Sequence, residues 1–152
     1  MKIARDLAGE RTARSADTAF SALIVDPSVG SSRIKAHGLT RAGYHVAEAT
    51  TSGEALSRIR GLRPHVLVID LDLGSGPDVN DGIELCRQLR TRPDIGNPYV
   101  LLLLQRAQLD RLFEAFLAGV DDYVIRPCPP WALLGKVARG ERVMRAAAGR
   151  FR

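Results

Sequence analysis

The sequence has little of what stabilises secreted or membrane-bound proteins. It contains only two cysteines, Cys86 and Cys128, which are too few for a disulfide framework and share no metal-ligand spacing. No apolar run approaches the roughly 20 residues that a membrane helix needs, and the N-terminus lacks the apolar core of a signal peptide. We therefore expect a cytoplasmic protein with no membrane attachment and no cysteine-bound metal.

Most of the chain carries no net charge. Residues 21–138 hold thirteen basic and thirteen acidic side chains, so the formal charge of +5 comes from residues 1–20 (+1) and 139–152 (+4). Because DNA-binding domains spread a basic stripe over one face, we expect no DNA binding. The length and the 45% of hydrophobic residues suit one domain with a sizeable core. We place this domain at 21–140, between an N-terminal extension and a basic C-terminal helix extension at 141–152.

Short apolar runs alternate with stretches of helix length. The runs lie at 22–25, 44–48, 65–70, 99–104 and 122–126, and the helix candidates lie at 29–42, 52–61, 82–92, 107–118 and 129–147. The fourth helix has the clearest helical spacing of apolar residues, at Leu109, Leu112, Phe113, Phe116 and Leu117. This order predicts an α/β protein with a doubly wound, five-stranded parallel sheet.

Informative residues lie at the ends of four predicted strands. Asp26 follows the first strand, Asp70 ends the third, Leu104 ends the fourth and Arg126 ends the fifth. Because the carboxyl ends of parallel strands meet at one edge of a sheet, we expect these residues to share a cleft. Carboxylates suit a hard divalent cation, and a cation opposite a carboxylate suits a transferred phosphoryl group. The alternative is that they are ordinary loop residues.

Three segments resemble the receiver domain of two-component response regulators. They are Leu23-Ile24-Val25-Asp26, Val68-Ile69-Asp70-Leu71-Asp72-Leu73 and, most specifically, Ala118-Gly119-Val120-Asp121-Asp122-Tyr123-Val124-Ile125-Arg126-Pro127. The resemblance covers roughly residues 21–140 and implies a flavodoxin-like (βα)5 fold with strand order 2-1-3-4-5. To this fold the chain adds an N-terminal extension and an elongated last helix.

The resemblance implies roles for four residues. Asp70 matches the aspartate that accepts phosphate from a histidine kinase, and Asp26 matches the first of two acids that help to hold Mg²⁺. Asp72 matches the position that gives the metal a backbone carbonyl. Tyr123 matches the switch aromatic residue, which reorients when the acceptor is phosphorylated. Beyond self-phosphorylation on Asp70, the resemblance implies no enzyme activity.

Other positions depart from the family pattern. Pro27 stands where the second metal-binding acid would be, and it has no side-chain ligand and no backbone N–H. Leu104 replaces a hydroxyl residue and cannot donate a hydrogen bond to a phosphoryl oxygen. Arg126 replaces a lysine, so the positive charge is kept but is carried by a planar guanidinium group. The loop after Asp70 is longer than is usual, with Gly74 in place of a proline.

These departures predict a degenerate acidic pocket. We expect a weakened Mg²⁺ site at Asp26, Asp70 and Asp72, because hard cations are held largely by ligand charge. We also expect the protein to act by docking that is independent of phosphorylation, since a switch needs different contacts in its two states. The alternative is a conventional Mg²⁺-dependent phosphoacceptor at Asp70.

The expected partners are proteins. Because the sequence ends at Arg152, we expect no output domain, and we therefore expect docking on a histidine kinase, a phosphotransfer protein or an effector. The resemblance places the docking surface on the fourth helix, fifth strand and fifth helix, and it leaves a homodimer open.

Arg139, Arg142 and Arg145 recur at every third residue of the last helix. One interpretation is a solvated helix end whose cations complement the helix dipole. Another is an arginine patch for phosphate groups, which would make the chain a cyclic-dinucleotide sensor.

Overall fold

The sheet has the predicted topology. The computed structural model describes residues 19–74 and 81–149, and its five parallel strands run in the order β2-β1-β3-β4-β5. The strands are β1 (Ser21–Val25), β2 (His45–Ala49), β3 (Val66–Asp70), β4 (Tyr99–Gln105) and β5 (Asp122–Arg126). The prediction of a doubly wound α/β fold is therefore confirmed. Nearly all of the predicted N-terminal extension lies outside the described residues.

Helices cover both faces of this sheet. They are α1 (Val29–Arg41), α2 (Ser52–Leu62), α3 (Gly82–Arg90), α4 (Leu112–Leu117) and α5 (Pro130–Gly149). Alternate residues of each strand belong to two core clusters, one on each face of the sheet. On β3, for example, Leu67 and Ile69 pack on the side of α2, α3 and α4, while Val66 and Val68 pack on the side of α1 and α5. Burial on both faces explains why the central strands are continuously apolar.

The fourth helix differs from its prediction in two ways. Residues Arg106–Arg111 form a 3₁₀ helix, and only Leu112–Leu117 are α-helical. The side chains of Phe113 and Leu117 are 75% and 74% exposed, whereas Ala115 faces the core. The helix therefore approaches the sheet through Ala115 and the partly buried Leu112, while Phe113 and Leu117 point to solvent.

The last helix is long, as predicted, with 20 residues from Pro130 to Gly149. None of the helices in the described ranges combines the length and apolar character needed to cross a bilayer.

Candidate functional site: an acidic cleft at the carboxyl ends of the strands

The strand ends bring two acids and an arginine together. Asp26 directly follows β1, Asp70 ends β3 and Arg126 ends β5, and β3 lies beside β1 in the sheet. Asp26 is 1% exposed and Asp70 is 2% exposed, so both carboxylates are removed from bulk water. Buried carboxylates need charge partners or hydrogen-bond donors. The partners of each acid therefore define what the cleft can do.

Asp26 is paired with a lysine from α1. The Nζ atom of Lys35 lies 2.5 Å from Oδ2 of Asp26, and it also donates to Oγ of Ser31 at 3.0 Å. The backbone N–H of Ser28 donates to Oδ1 of Asp26 at 2.8 Å. Burial raises the pKa of Asp26, but the bonds from Lys35 and Ser28 outweigh it, so this pKa lies below its ordinary value.

Asp70 is paired with Arg126. An Nη atom of Arg126 lies 3.0 Å from Oδ2 of Asp70, and the backbone N–H of Asp72 donates to Oδ1 at 3.2 Å. Burial raises the pKa of Asp70 above its ordinary value, and the charge of Arg126 only partly opposes this effect. The peptide bond between Arg126 and Pro127 is cis.

Asp72 is held away from the two buried acids. The amide nitrogen of Gln108 donates to both carboxylate oxygens of Asp72, at 3.1 and 3.0 Å. The Asp72 side chain is 57% exposed, and its Oδ2 atom lies 3.9 Å from an Nη atom of Arg126. The side chain thus bonds to the segment after β4 and supplies no third carboxylate inside the cleft.

These contacts do not suit a divalent metal. Both oxygens of Asp26 and Oδ1 of Asp70 accept hydrogen bonds from the protein, and Oδ2 of Asp70 is ion-paired with Arg126. Pro27 offers no side-chain ligand. Within residues 19–74 and 81–149, no three acidic, histidine or cysteine side chains are grouped so that they could hold a metal ion. Mg²⁺ prefers near-ideal octahedral oxygen coordination, and the described residues do not fit that requirement.

The two positions for which the resemblance implies a switch, Leu104 and Tyr123, belong to the same core region but lack a polar link. Leu104 is fully buried in the core cluster against which Tyr123 packs. The Tyr123 ring meets the ring of Phe116 edge-on at 6.3 Å, and Nζ of Lys136 lies 5.9 Å from its centroid. An apolar side chain at position 104 cannot report the charge of Asp70 to Tyr123 through a hydrogen bond.

The C-terminal arginines have partners within the chain. Arg139 lies 3.8 Å from Oδ2 of Asp122, and Nε of Arg145 donates to Glu141 at 2.9 Å. Arg142 is exposed. The anion patch formed by these three arginines stays a prediction, and two of its members are already ion-paired.

Sequence reasoning missed Lys35 and Gln108. Lys35 lies four residues after Ser31 and four before the buried Leu39, so helical periodicity places it on the face of α1 that meets the sheet. That signal could have predicted a buried ammonium near Asp26. The contact between Gln108 and Asp72 joins residues 36 positions apart and has no local signal.

Comparison with known sequences points to one family. The sequence model of the response regulator receiver domain matches residues 22–138. Transcriptional regulatory protein AfsQ1 of Streptomyces coelicolor is 33% identical over 108 residues, covering 68% of this chain and 45% of AfsQ1. The DNA-binding response regulator MtrA of Mycolicibacterium smegmatis is 33% identical over 115 residues, covering 76% of this chain and 47% of MtrA. The chain spans about half the length of these relatives.

Solved structures show the same relationship. A CheY-like receiver domain protein from Methanospirillum hungatei superposes with a TM-score of 0.75 at 26% identity, over 86% of this chain and 99% of that one. The receiver domain of a signal transduction histidine kinase from Syntrophus aciditrophicus gives a TM-score of 0.70 at 28% identity, over 80% and 89% of the two chains.

The fold and the cleft define the class, a doubly wound signalling domain with its acidic pocket at the carboxyl ends of the strands. The chain belongs to the response regulator receiver family of two-component systems. Receiver domains are generally signalling domains without enzyme activity, and they typically bind Mg²⁺ at the acidic pocket.

Proposed function

We propose that this receiver domain signals by docking on a protein partner without requiring phosphorylation of Asp70. The observation that carries the proposal is the state of the two buried acids. Asp26 is ion-paired with Lys35 and Asp70 with Arg126, so the pocket needs neither a metal nor a phosphoryl group to balance its charge. An unphosphorylated domain with a balanced pocket can hold a single docking-competent conformation.

The apolar side of α4 supports a docking role. Phe113 and Leu117 are exposed on one side of this helix, and the half-exposed Phe116 connects them to Tyr123 on β5. On α5, Lys136 forms an ion pair with Asp122 at 2.9 Å beside the same ring. Exposed aromatic and aliphatic side chains next to charged ones are typical of protein interfaces. We name the surface formed by α4, β5 and the first half of α5 the docking face.

The partner that fits this face is a protein with an apolar patch. Phe113 and Leu117 offer contact area at low cost, because neither side chain must first give up a partner within the chain. The pair of Lys136 and Asp122 lies next to them and offers both signs of charge at the edge. Histidine kinases, phosphotransfer proteins and effectors remain the candidate partners.

A conventional phosphoacceptor is the second candidate. The contact of Arg126 with Asp70 at 3.0 Å favours it, because a cation at this position can neutralise a phosphoryl group on the acid. This candidate requires the docking face to change when Asp70 is modified, whereas our proposal does not.

Site-specific photo-crosslinking in cells that express the full chain tests the proposal. We expect a photoreactive phenylalanine analogue at position 113 to trap one protein partner, because this side chain is 75% exposed on the docking face. The same yield, within about twofold, is expected when the acceptor is removed by Asp70→Asn, since docking then depends on contacts at the face alone. Mass spectrometry of the crosslinked band measures both the partner and the yield.

The control places the same photoreactive residue at Ser57. This residue is exposed on α2, which packs over β1 and β2, at the opposite end of the sheet from β5. A crosslink at position 57 that equals the one at position 113 would reject the docking face. Loss of the crosslink in Asp70→Asn would support the conventional phosphoacceptor instead.

A further inference from the structure

The charge of the pocket is balanced by a residue outside the receiver pattern. Lys35 comes from the middle of α1, and its side chain is only 13% exposed. Its Nζ atom is fixed between Oδ2 of Asp26 at 2.5 Å and Oγ of Ser31 at 3.0 Å. A lysine that gives up this much hydration is stabilised only where its charge is met by a carboxylate.

A comparison of the charged groups in the pocket with the family pattern shows what the ammonium of Lys35 replaces. In the family pattern, three carboxylates are balanced by one lysine and Mg²⁺. In this chain Pro27 removes one carboxylate. Among the described residues, the two buried acids Asp26 and Asp70 face the two single charges of Lys35 and Arg126, and the exposed Asp72 lies 3.9 Å from the same arginine. The two buried acids are therefore charge-balanced before any metal arrives.

We infer that the ammonium of Lys35 is the resident cation of this pocket and that it excludes Mg²⁺. A divalent ion bound to Asp26 would share that carboxylate with Nζ of Lys35, and like charges repel strongly at such distances in a partly buried site. It would also have to share the oxygens of Asp26 with the N–H of Ser28 and with Lys35, which already donate to them. The ion-paired carboxylate of Asp26 and the missing acid at position 27 both weaken the binding of Mg²⁺.

This inference deepens the proposed function, because a pocket with a built-in cation has no need of a metal-dependent activation step. It nevertheless stands on separate contacts. Its test uses Mg²⁺ alone, without a phosphodonor or a partner, so its failure would leave the docking face untouched. Equally, loss of docking would leave the ion pair between Lys35 and Asp26 in place.

The experiment is a titration of the ¹⁵N-labelled full chain with MgCl₂, followed by the amide resonances of Asp26, Asp70 and Asp72. In the wild type we expect no saturable shift up to about 20 mM Mg²⁺. In Lys35→Met we expect saturable shifts at these amides, because the carboxylate of Asp26 becomes free to bind the metal. Half-saturation is expected at least about tenfold below the highest Mg²⁺ concentration tested. Lys136→Met, which removes a lysine paired with Asp122 away from the pocket, is the matched control and should show no saturable Mg²⁺ shift, as in the wild type.

Lys35→Gln provides a second variant in case Lys35→Met does not fold. It removes the charge and keeps a donor for Asp26, so it should also gain Mg²⁺ binding. Saturable Mg²⁺ binding by the wild type would overturn the inference. An equal response in the wild type and the folded Lys35 variants, including no response in any of them, would also overturn it, because exclusion would then not depend on Lys35.

Discussion

Gly82→Ala is expected to lower the free energy of unfolding by about 3 kcal/mol or more, the upper part of the range for overpacked sites. Gly82 begins α3, where the chain returns to the end of β3. A Cβ atom there would lie 2.4 Å from the carbonyl oxygen of Asp70 and 3.0 Å from Cγ2 of Ile69. The nearest atom belongs to the backbone, which cannot rotate away as a side chain can. The whole start of α3 must therefore move away from the acceptor strand.

Urea unfolding of the full chain measures this loss. Gly135→Ala is the matched control, because Gly135 lies inside α5 and a Cβ atom there meets nothing within 4 Å. That variant should gain about 0.5–1 kcal/mol, since alanine favours a helix interior over glycine. If Gly82→Ala unfolded at the same urea concentration as the wild type, the close approach of α3 to Asp70 would be wrong.

Arg126→Met is expected to cost about 2–3 kcal/mol at neutral pH, because it leaves the buried carboxylate of Asp70 without its cation. The expected loss in the free energy of unfolding is smaller than for a fully buried ion pair, because the side chain of Arg126 is 27% exposed. Arg92→Met is the matched control. Arg92 is similarly exposed, but its partner Asp94 is at the surface, so Arg92→Met should unfold close to the wild type.

The pH dependence of this loss identifies its cause. A carboxyl group whose pKa is higher in the folded state than in the unfolded chain stabilises the fold fully below its ordinary pKa of 3.8. That contribution is lost as pH rises through the folded-state pKa. Because burial already raises the pKa of Asp70, and removal of Arg126 raises it further, the deficit of Arg126→Met should shrink as the pH is lowered.

A double-mutant cycle completes this prediction. Asp70→Asn removes the buried charge, so Arg126→Met should cost little in that background. Urea unfolding of the four proteins at neutral and acidic pH gives the coupling energy directly. If Arg126→Met cost the same with and without the Asp70→Asn substitution, the two side chains would not interact.

The sequence allowed the sheet to be predicted because its strands are continuously apolar and end on polar residues. Asp70 and Arg126 could be placed in one cleft for the same reason, since parallel strands share a carboxyl edge. The ion pair between Lys35 and Asp26 was missed, because it depends on how α1 is rotated against β1. Only the position of Lys35 between Ser31 and Leu39 hinted at this rotation.

The direction of the apolar stripe on α4 was also beyond sequence reasoning. Periodicity detects the large residues Phe113, Phe116 and Leu117, but it cannot tell a core-facing stripe from a docking stripe. Here Ala115, Ala118 and the partly buried Leu112 occupy the buried side. Phe113, Phe116 and Leu117 are left exposed. Gly82 likewise looks like an ordinary helix start until the carbonyl of Asp70 is placed beside it.

We propose that Asp70 is kept in the pocket without the groups that would let it accept and report a phosphoryl group. Intact-protein mass spectrometry after incubation with acetyl phosphate and Mg²⁺ tests this proposal, with Asp70→Asn as the reference. The wild type is expected to stay unmodified, as the Asp70→Asn variant does. A mass gain of one phosphoryl group that appears in the wild type and is absent from Asp70→Asn would contradict it.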